Sequence, residues 1–157
     1  MSDPDSRKPH SESNVTLHEV TAASLKEVLA LQVTGRQRAF VADNARSIAQ
    51  AHFSPHAWFR AIYADDTPVG FLMLYDEPEK PEYYLWRLMI DERYQGNGFG
   101  RRAVELLIRH VRTRPNAREL FTSVVQADGG PQGFYERLGF ALTGDYEDGE
   151  AVMRLSL

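Results

Sequence analysis

The run Tyr94-Gln95-Gly96-Asn97-Gly98-Phe99-Gly100-Arg101-Arg102 restricts the fold of this chain more than any other segment. Before it, residues 82–91 (EYYLWRLMID) form the longest near-continuous apolar stretch rich in strong β-formers, which predicts a central strand buried on both faces. After it, Phe99, Ala103, Leu107 and Val111 recur every four residues, with Val104 and Ile108 beside them, which predicts a helix over 99–112. A strand therefore ends, glycines free the backbone, and a helix begins. Glycine admits positive φ and close approach of a ligand, so successive N–H groups can point at one anion. The helix N-terminus adds roughly half a positive charge. Arg101 and Arg102 occupy the first helical turn, where the macrodipole disfavours each cation by about 0.3–1 kcal/mol in an empty protein. A bound polyanion reverses that sign, and a pyrophosphate is the anion this pattern suits. A Rossmann G-x-G-x-x-G from Gly96 would need glycine where Arg101 stands, and a P-loop needs a Gly-Lys-Ser/Thr that is not here.

The other elements assemble around this junction. Residues 15–20 alternate as a first edge strand, and Thr21 or Ser24 can cap a helix with Leu25, Val28, Leu29 and Gln32 on one face. A second helical piece over 44–52 stops before Pro55. Residues 57–63 and 69–75 read as a hairpin around Asp65-Asp66-Thr67-Pro68. A strand over 119–125 follows the central helix, then a short helix ending at Leu138-Gly139, with Gly139 as its C-cap. Strands 140–146 and 151–157 meet at Glu147-Asp148-Gly149. The expected fold is α/β, a mixed and mostly antiparallel sheet with helices on both faces.

With 157 residues and no internal repeat, one domain is expected over 15–157, behind a polar, disordered segment 1–14. The net charge of −4 argues against a nucleic-acid partner, which needs a basic surface to displace counterions. No apolar run reaches the ~18–20 residues of a membrane span, so no membrane partner and a cytoplasmic location are expected. The absence of cysteine removes disulfides, thiolate metal sites and a cysteine nucleophile. His52 and His56 have helical ligand spacing, but Pro55 breaks the helix between them, and no metal is expected.

Gln95-x-x-Gly98-x-Gly100 resembles the Gln/Arg-x-x-Gly-x-Gly/Ala signature of the GNAT acetyltransferases, and Phe134-Tyr135 through Gly139-Phe140 resembles that family's F-Y-x-x-x-G-F stretch. The element order is similar too, so the resemblance spans nearly the whole chain. It implies acetyl-CoA as cofactor. Backbone groups of Leu88, Met89 and Ile90, at the splayed end of the central strand, would pair with the pantetheine arm. The amides of Gln95, Gly96, Asn97, Gly98, Phe99, Gly100 and Arg101 would cradle the pyrophosphate, and Tyr135 would stand near the cofactor sulfur.

The chemistry is coherent with this. A primary amine must lose a proton, attack a thioester and expel a thiolate. The N–H of Met89 could stabilise the oxyanion, and Tyr135 could return a proton to the sulfur. A closer likeness, carried by Gln37, Phe40, Asn44 and Ser47 together with Tyr84, Trp86, Arg87 and Met89-Ile90-Asp91, points to the bacterial spermine/spermidine acetyltransferases. That likeness implies a small-molecule amine as partner, with Phe40, Asp43, Trp86 and Arg87 at its pocket, and it is compatible with a homodimer. Many members of the family place a glutamate in mid-strand, where this chain has Leu85-Trp86-Arg87, so either Glu82 acts as base through a water chain or the reaction draws on the small free-amine fraction. Another acceptor (a protein amine, amino sugar or amino acid) and a non-catalytic acyl-CoA-binding module stay open at this point.

Overall fold

The computed structural model describes residues 8–157. Its strands are β1 (Val15–His18), β2 (Ala57–Ala64), β3 (Thr67–Glu77), β4 (Glu82–Ile90), β5 (Glu119–Val124), β6 (Ala141–Glu147) and β7 (Glu150–Ser156). They form one seven-stranded sheet in the order β1-β2-β3-β4-β5-β7-β6. Only β4 and β5 run parallel; every other neighbouring pair is antiparallel. The helices are α1 (Leu25–Ala30), α2 (Asn44–His52), α3 (Phe99–Val111) and α4 (Gln132–Arg137), with a 3-10 turn at Gln37–Ala39.

Both faces of the sheet are covered, as the sequence predicts. On one face Phe99, Ala103, Leu107 and Val111 of α3 and Tyr135 of α4 pack against Leu72, Leu74, Tyr83, Leu85 and Leu120. On the other, Val28 of α1 meets Phe71, Met73 and Met89, with Ile48 of α2 alongside. The apolar stripe expected on α1 is only partly used. Val28 is buried, whereas Leu25 and Leu29 stay exposed, because a six-residue helix offers less than two turns to the sheet. No described helix is long and apolar enough to cross a membrane.

Two irregularities in β4 shape everything near it. Met73 pairs with Arg87 while the next β3 residue, Leu74, pairs with Leu85, so β4 carries one extra residue at Trp86. Such a bulge shifts the side-chain alternation by one. Trp86 packs on the α1 side, and Arg87 also turns to that side, donating from Nη2 to Gln50 Oε1 of α2 at 3.1 Å. Beyond the bulge Leu88 and Ile90 pack on the α3 side. Moreover, β4 pairs with β5 only at Tyr84↔Phe121 and Leu85↔Thr122. From Trp86 onward the two strands diverge, which leaves Trp86, Arg87 and Leu88 half-buried rather than buried on both faces as the apolar run suggests.

Residues 1–7 of the expected disordered lead-in lie outside the described residues. Residues 10–14 correct that expectation. Ser13 is buried, its N–H donates to His10 O at 2.9 Å, and Asn14 N donates to Asp65 Oδ1 in the β2–β3 turn at 3.0 Å. The folded unit therefore begins ahead of Val15.

Asp91 fixes the end of β4. It is 2% exposed, and its carboxylate accepts from Gln32 N at 2.9 Å, Arg93 N at 2.9 Å and Arg93 Nε at 2.8 Å. Burial by itself raises this carboxyl, but the donors from Arg93 and Gln32 outweigh it and hold the pKa below the ordinary carboxylate value. A depressed folded-state pKa contributes stability above the unfolded value near 3.9, lost as pH falls through the folded one. Asp91→Asn is expected to cost about 1.5–3 kcal/mol at pH 7, the worth of a hydrogen bond to a charged group. In urea titrations the gap between variant and wild type should close below about pH 3.9; a pH-independent gap would remove the ionised carboxylate from the account.

Candidate active site

The divergence of β4 from β5 exposes backbone, and the ladder shows which groups. Asp91 N donates to Val69 O at 2.8 Å, so 91 and 69 are a hydrogen-bonded pair. Antiparallel ladders alternate, and Met89, opposite Phe71, is therefore bonded to β3 as well. A Cβ built on Gly70 collides with Met89 O, which confirms that this peptide faces β3. The N–H and C=O of Leu88 and Ile90 point the other way, toward the missing β5 neighbour. The oxyanion role expected of the Met89 N–H is corrected accordingly: that group is used inside the sheet, and Leu88 N–H is the open one. Thr122 Oγ1 donates to Leu85 O at 3.0 Å, which marks the apex of the splay.

The glycine turn lies at the end of this open edge. Gly96 has φ 83° and Gly98, the residue before α3, has φ 76°. Both values sit in the left-handed region that favours glycine. Gly100 instead packs closely, where an added Cβ would lie in van der Waals contact with Phe134 Cζ at 3.4 Å. No side chain caps α3, and the first N–H to find a helical partner is Arg102 N, bonded to Gly98 O at 3.2 Å. The N–H groups of Phe99, Gly100 and Arg101 are thus orphan helix donors. Gln95 and Asn97 brace the turn with their side chains: Gln95 Nε2 donates to Ile90 O at 2.9 Å and to Gln37 Oε1 at 2.7 Å, and Asn97 Nδ2 to Tyr94 O at 2.9 Å. Arg101 lines the cleft with an exposed guanidinium, 3.9 Å from Glu105. Arg102 does not join it; its guanidinium reaches back to Ser13 O and Ser11 O.

A cleft of about 1970 Å³ joins the open edge, the turn and the space beyond. Typical small-molecule pockets hold about 300–1,000 Å³, so the cleft has room for a long ligand and a second molecule. Tyr135, 7% exposed, lines it from the α4 side, with its ring edge-on to Phe134 and Phe140. Burial pushes its phenol well up, and hydrogen bonding with the Thr122 side chain offsets only part of this. The Tyr135 hydroxyl therefore stays protonated at physiological pH.

Phe40, Trp86 and Arg87 also line the cleft, with Gln50 and Arg46 of α2. Burial holds the Arg87 guanidinium below its ordinary value, with Glu150 opposing and Arg46 adding to the effect, and its Nε has no partner. One expected residue is not brought in. Asp43 caps α2, its Oδ1 accepting from Arg46 N at 2.7 Å, and does not line the cleft. Glu82 lines the cleft from the other end of β4, six to eight residues before the open backbone of Leu88 and Ile90, about 20–26 Å at 3.3 Å per residue. That is too far for direct proton transfer. Sequence reasoning missed Tyr84, Glu147, Asp148 and Glu150, which also line the cleft. Burial, ahead of Glu147 and Glu150, pushes the Tyr84 phenol up to about 12. The hairpin acids were legible only as a turn.

Residues 25–140 match the sequence model of the Acetyltransferase (GNAT) family. The chain belongs to the GNAT acetyltransferases. Members of this family use acetyl-CoA, which is the cofactor of this chain. A spermine/spermidine N(1)-acetyltransferase of Bacillus subtilis (strain 168) is 27% identical over 147 residues, covering 89% of this chain and 97% of that protein. The fold agrees with a crystal structure of an acetyltransferase from Thermus thermophilus, with TM-score 0.69 and 20% identity over 94% of this chain and 99% of that one. It agrees likewise with paiA N-acetyltransferase from Thermoplasma acidophilum in complex with coenzyme A, with TM-score 0.65 and 16% identity over 92% and 99% of the two chains.

In this GNAT protein, Gly98→Val forces a branched side chain to φ 76°, at a strain of about 1–2 kcal/mol. Calorimetric titration should show acetyl-CoA affinity falling about five- to thirtyfold, since a comparable energy is taken from a turn that must keep its shape. Unaltered affinity would count against the turn as the anion cradle.

Proposed function

We propose that this chain transfers acetyl from acetyl-CoA to a primary amine of a small diamine or polyamine, by direct attack and without a covalent enzyme intermediate. One observation carries the reading. The open N–H and C=O of Leu88 and the open N–H of Ile90 run into the orphan N–H groups of Phe99, Gly100 and Arg101, with Tyr135 beside Thr122 where the strands part. These residues fit the coenzyme: extended open backbone suits an amide-bearing arm, and an uncapped helix start with two left-handed glycines suits a diphosphate.

When bound, acetyl-CoA supplies a thioester carbonyl open to attack. Leu88 C=O and Ile90 N–H would hold the arm as an added strand is held. Leu88 N–H donates where negative charge gathers on the acyl oxygen, a stabilisation worth about 2.7–4 kcal/mol in comparable sites. Tyr135 would donate its proton to the sulfur as the C–S bond breaks, and the proton lost by the attacking nitrogen would return through water to the phenol. Its raised pKa opposes full transfer, but the same dry surroundings raise the thiol, which narrows the mismatch. The acceptor enters from the wall of Phe40, Trp86 and Arg87, below the acids of the β6–β7 hairpin, and gives up its ammonium proton to water at the open mouth.

The polyamine preference is supported by the Bacillus subtilis relative and by Glu147, Asp148 and Glu150 around the cleft. Arg87 and Arg46 moderate that attraction, so the acids at the rim steer a cation electrostatically rather than enclose it.

Thiol release with acetyl-CoA and a panel of amines tests this function, with spermidine or a short diamine expected to give the highest kcat/KM. Tyr135→Phe should lower kcat by about 10²–10⁴, the usual effect of a positioned proton donor, while acetyl-CoA binding persists. No turnover with any amine, or full activity in the Phe variant, would contradict the reading.

A further inference from the structure

Arg102 stands in the first turn of α3, where a cation opposes the helix dipole. Its guanidinium is held by carbonyl oxygens from two places. Nη1 donates to Ser13 O at 2.6 Å and Nη2 to Ser11 O at 2.9 Å; Nη2 also donates to Asn97 O at 3.1 Å and Nε to Gly98 O at 3.4 Å. One side chain thereby ties the glycine turn to a segment about ninety positions earlier in the chain.

The consequence follows from peptide geometry. In a trans peptide the C=O and the N–H of one unit point in opposite directions. Asn97 C=O shares its peptide with Gly98 N–H, and Gly98 C=O shares its peptide with Phe99 N–H. The Asn97 carbonyl, drawn to the Arg102 side chain, turns Gly98 N–H away from it, and the Gly98 carbonyl, shared between that side chain and Arg102 N at 3.2 Å, turns Phe99 N–H the same way. Gly98 and Phe99 line the cleft, whereas Arg102 lines a separate hollow with Ser13, Asn14 and Glu105. The two donors are therefore aimed at the side where an anion can be met. Residues 11–13 are themselves fixed: Ser13 Oγ accepts from His10 N at 2.9 Å, and Asn14, just beyond, is bonded to Asp65.

We infer that Arg102 and residues 11–13 form a latch that sets the direction of the Gly98 and Phe99 amides, and through them the grip on the coenzyme's diphosphate. Arg102 is a positioning residue and touches no ligand. The inference rests on the acetyl-CoA reading of the cleft, and it assigns to the amino-terminal segment a part in cofactor binding.

The test compares wild type, Arg102→Met, Arg102→Lys and a chain lacking residues 1–13. Acetyl-CoA binding is measured by calorimetry, and KM and kcat are measured with acetyl-CoA and with acetyl-pantetheine, which has the thioester arm but no diphosphate. In Arg102→Met and in the shortened chain, Kd and KM for acetyl-CoA should each rise about tenfold. Over the same variants kcat and the KM for acetyl-pantetheine should move less than about twofold. The two changes combined should weaken binding little more than either alone, because they break one connection. Lysine keeps the charge but cannot span four carbonyls, and should restore little. Wild-type acetyl-CoA affinity in Arg102→Met, equal weakening toward both donors, or full rescue by lysine would each overturn the latch. If wild type bound no acetyl-CoA, the acetyltransferase reading would fall first and the latch with it.

Discussion

The structure depends on a pairing that stops. β4 and β5 are parallel and meet at only two residue pairs before parting. Unpaired backbone N–H and C=O groups are costly when shut away from water, so a gap at the centre of a sheet persists only where solvent or a ligand reaches it. Here the gap opens onto the cleft, and the strand that borders it ends at the turn whose helix donors also lack partners. The sheet is in effect missing a strand, and an extended ligand with amides along its length and a diphosphate at its end is the shape that completes it.

Several devices keep that gap in register. The Thr122 hydroxyl closes its apex by donating to Leu85 O. Asp91 pins the far end of β4 to the chain leaving α1. Gln95 occupies Ile90 O and ties the turn to the 3-10 segment through Gln37. The bulge at Trp86 turns Trp86 and Arg87 together to the α2 side while Leu88 and Ile90 remain over α3. One face of β4 thus shapes an acceptor wall, and its edge serves the acyl donor. These tasks are separable because side chains point across the sheet while backbone groups point within it.

The parts legible in the sequence are those encoded locally. The four-residue recurrence from Phe99 to Val111, the apolar run ahead of it and the glycines between them specify the strand–turn–helix junction without any distant partner. What stayed hidden depends on pairing. Nothing within residues 82–91 shows that Leu74 opposes Leu85 and not Trp86, so neither the bulge nor the side to which Arg87 turns could be read. The same holds for Met89, whose N–H is spent on β3 because of a register fixed at Val69 and Asp91. Arg102 looks like a phosphate ligand in sequence, and its true partners at Ser11 and Ser13 are remote in the chain. Asp43 is the exception, since an Asp just ahead of a helical run is an N-cap signal visible without a structure.

Amide hydrogen exchange, followed residue by residue with and without coenzyme A, tests the central claim most directly. Ligand should slow exchange at Leu88, Ile90 and Gly98 through Arg101, and leave Met89, already bonded to β3, unchanged. Protection confined to other residues, or equal at Met89 and its two neighbours, would contradict the account of an open strand edge continued by an uncapped helix.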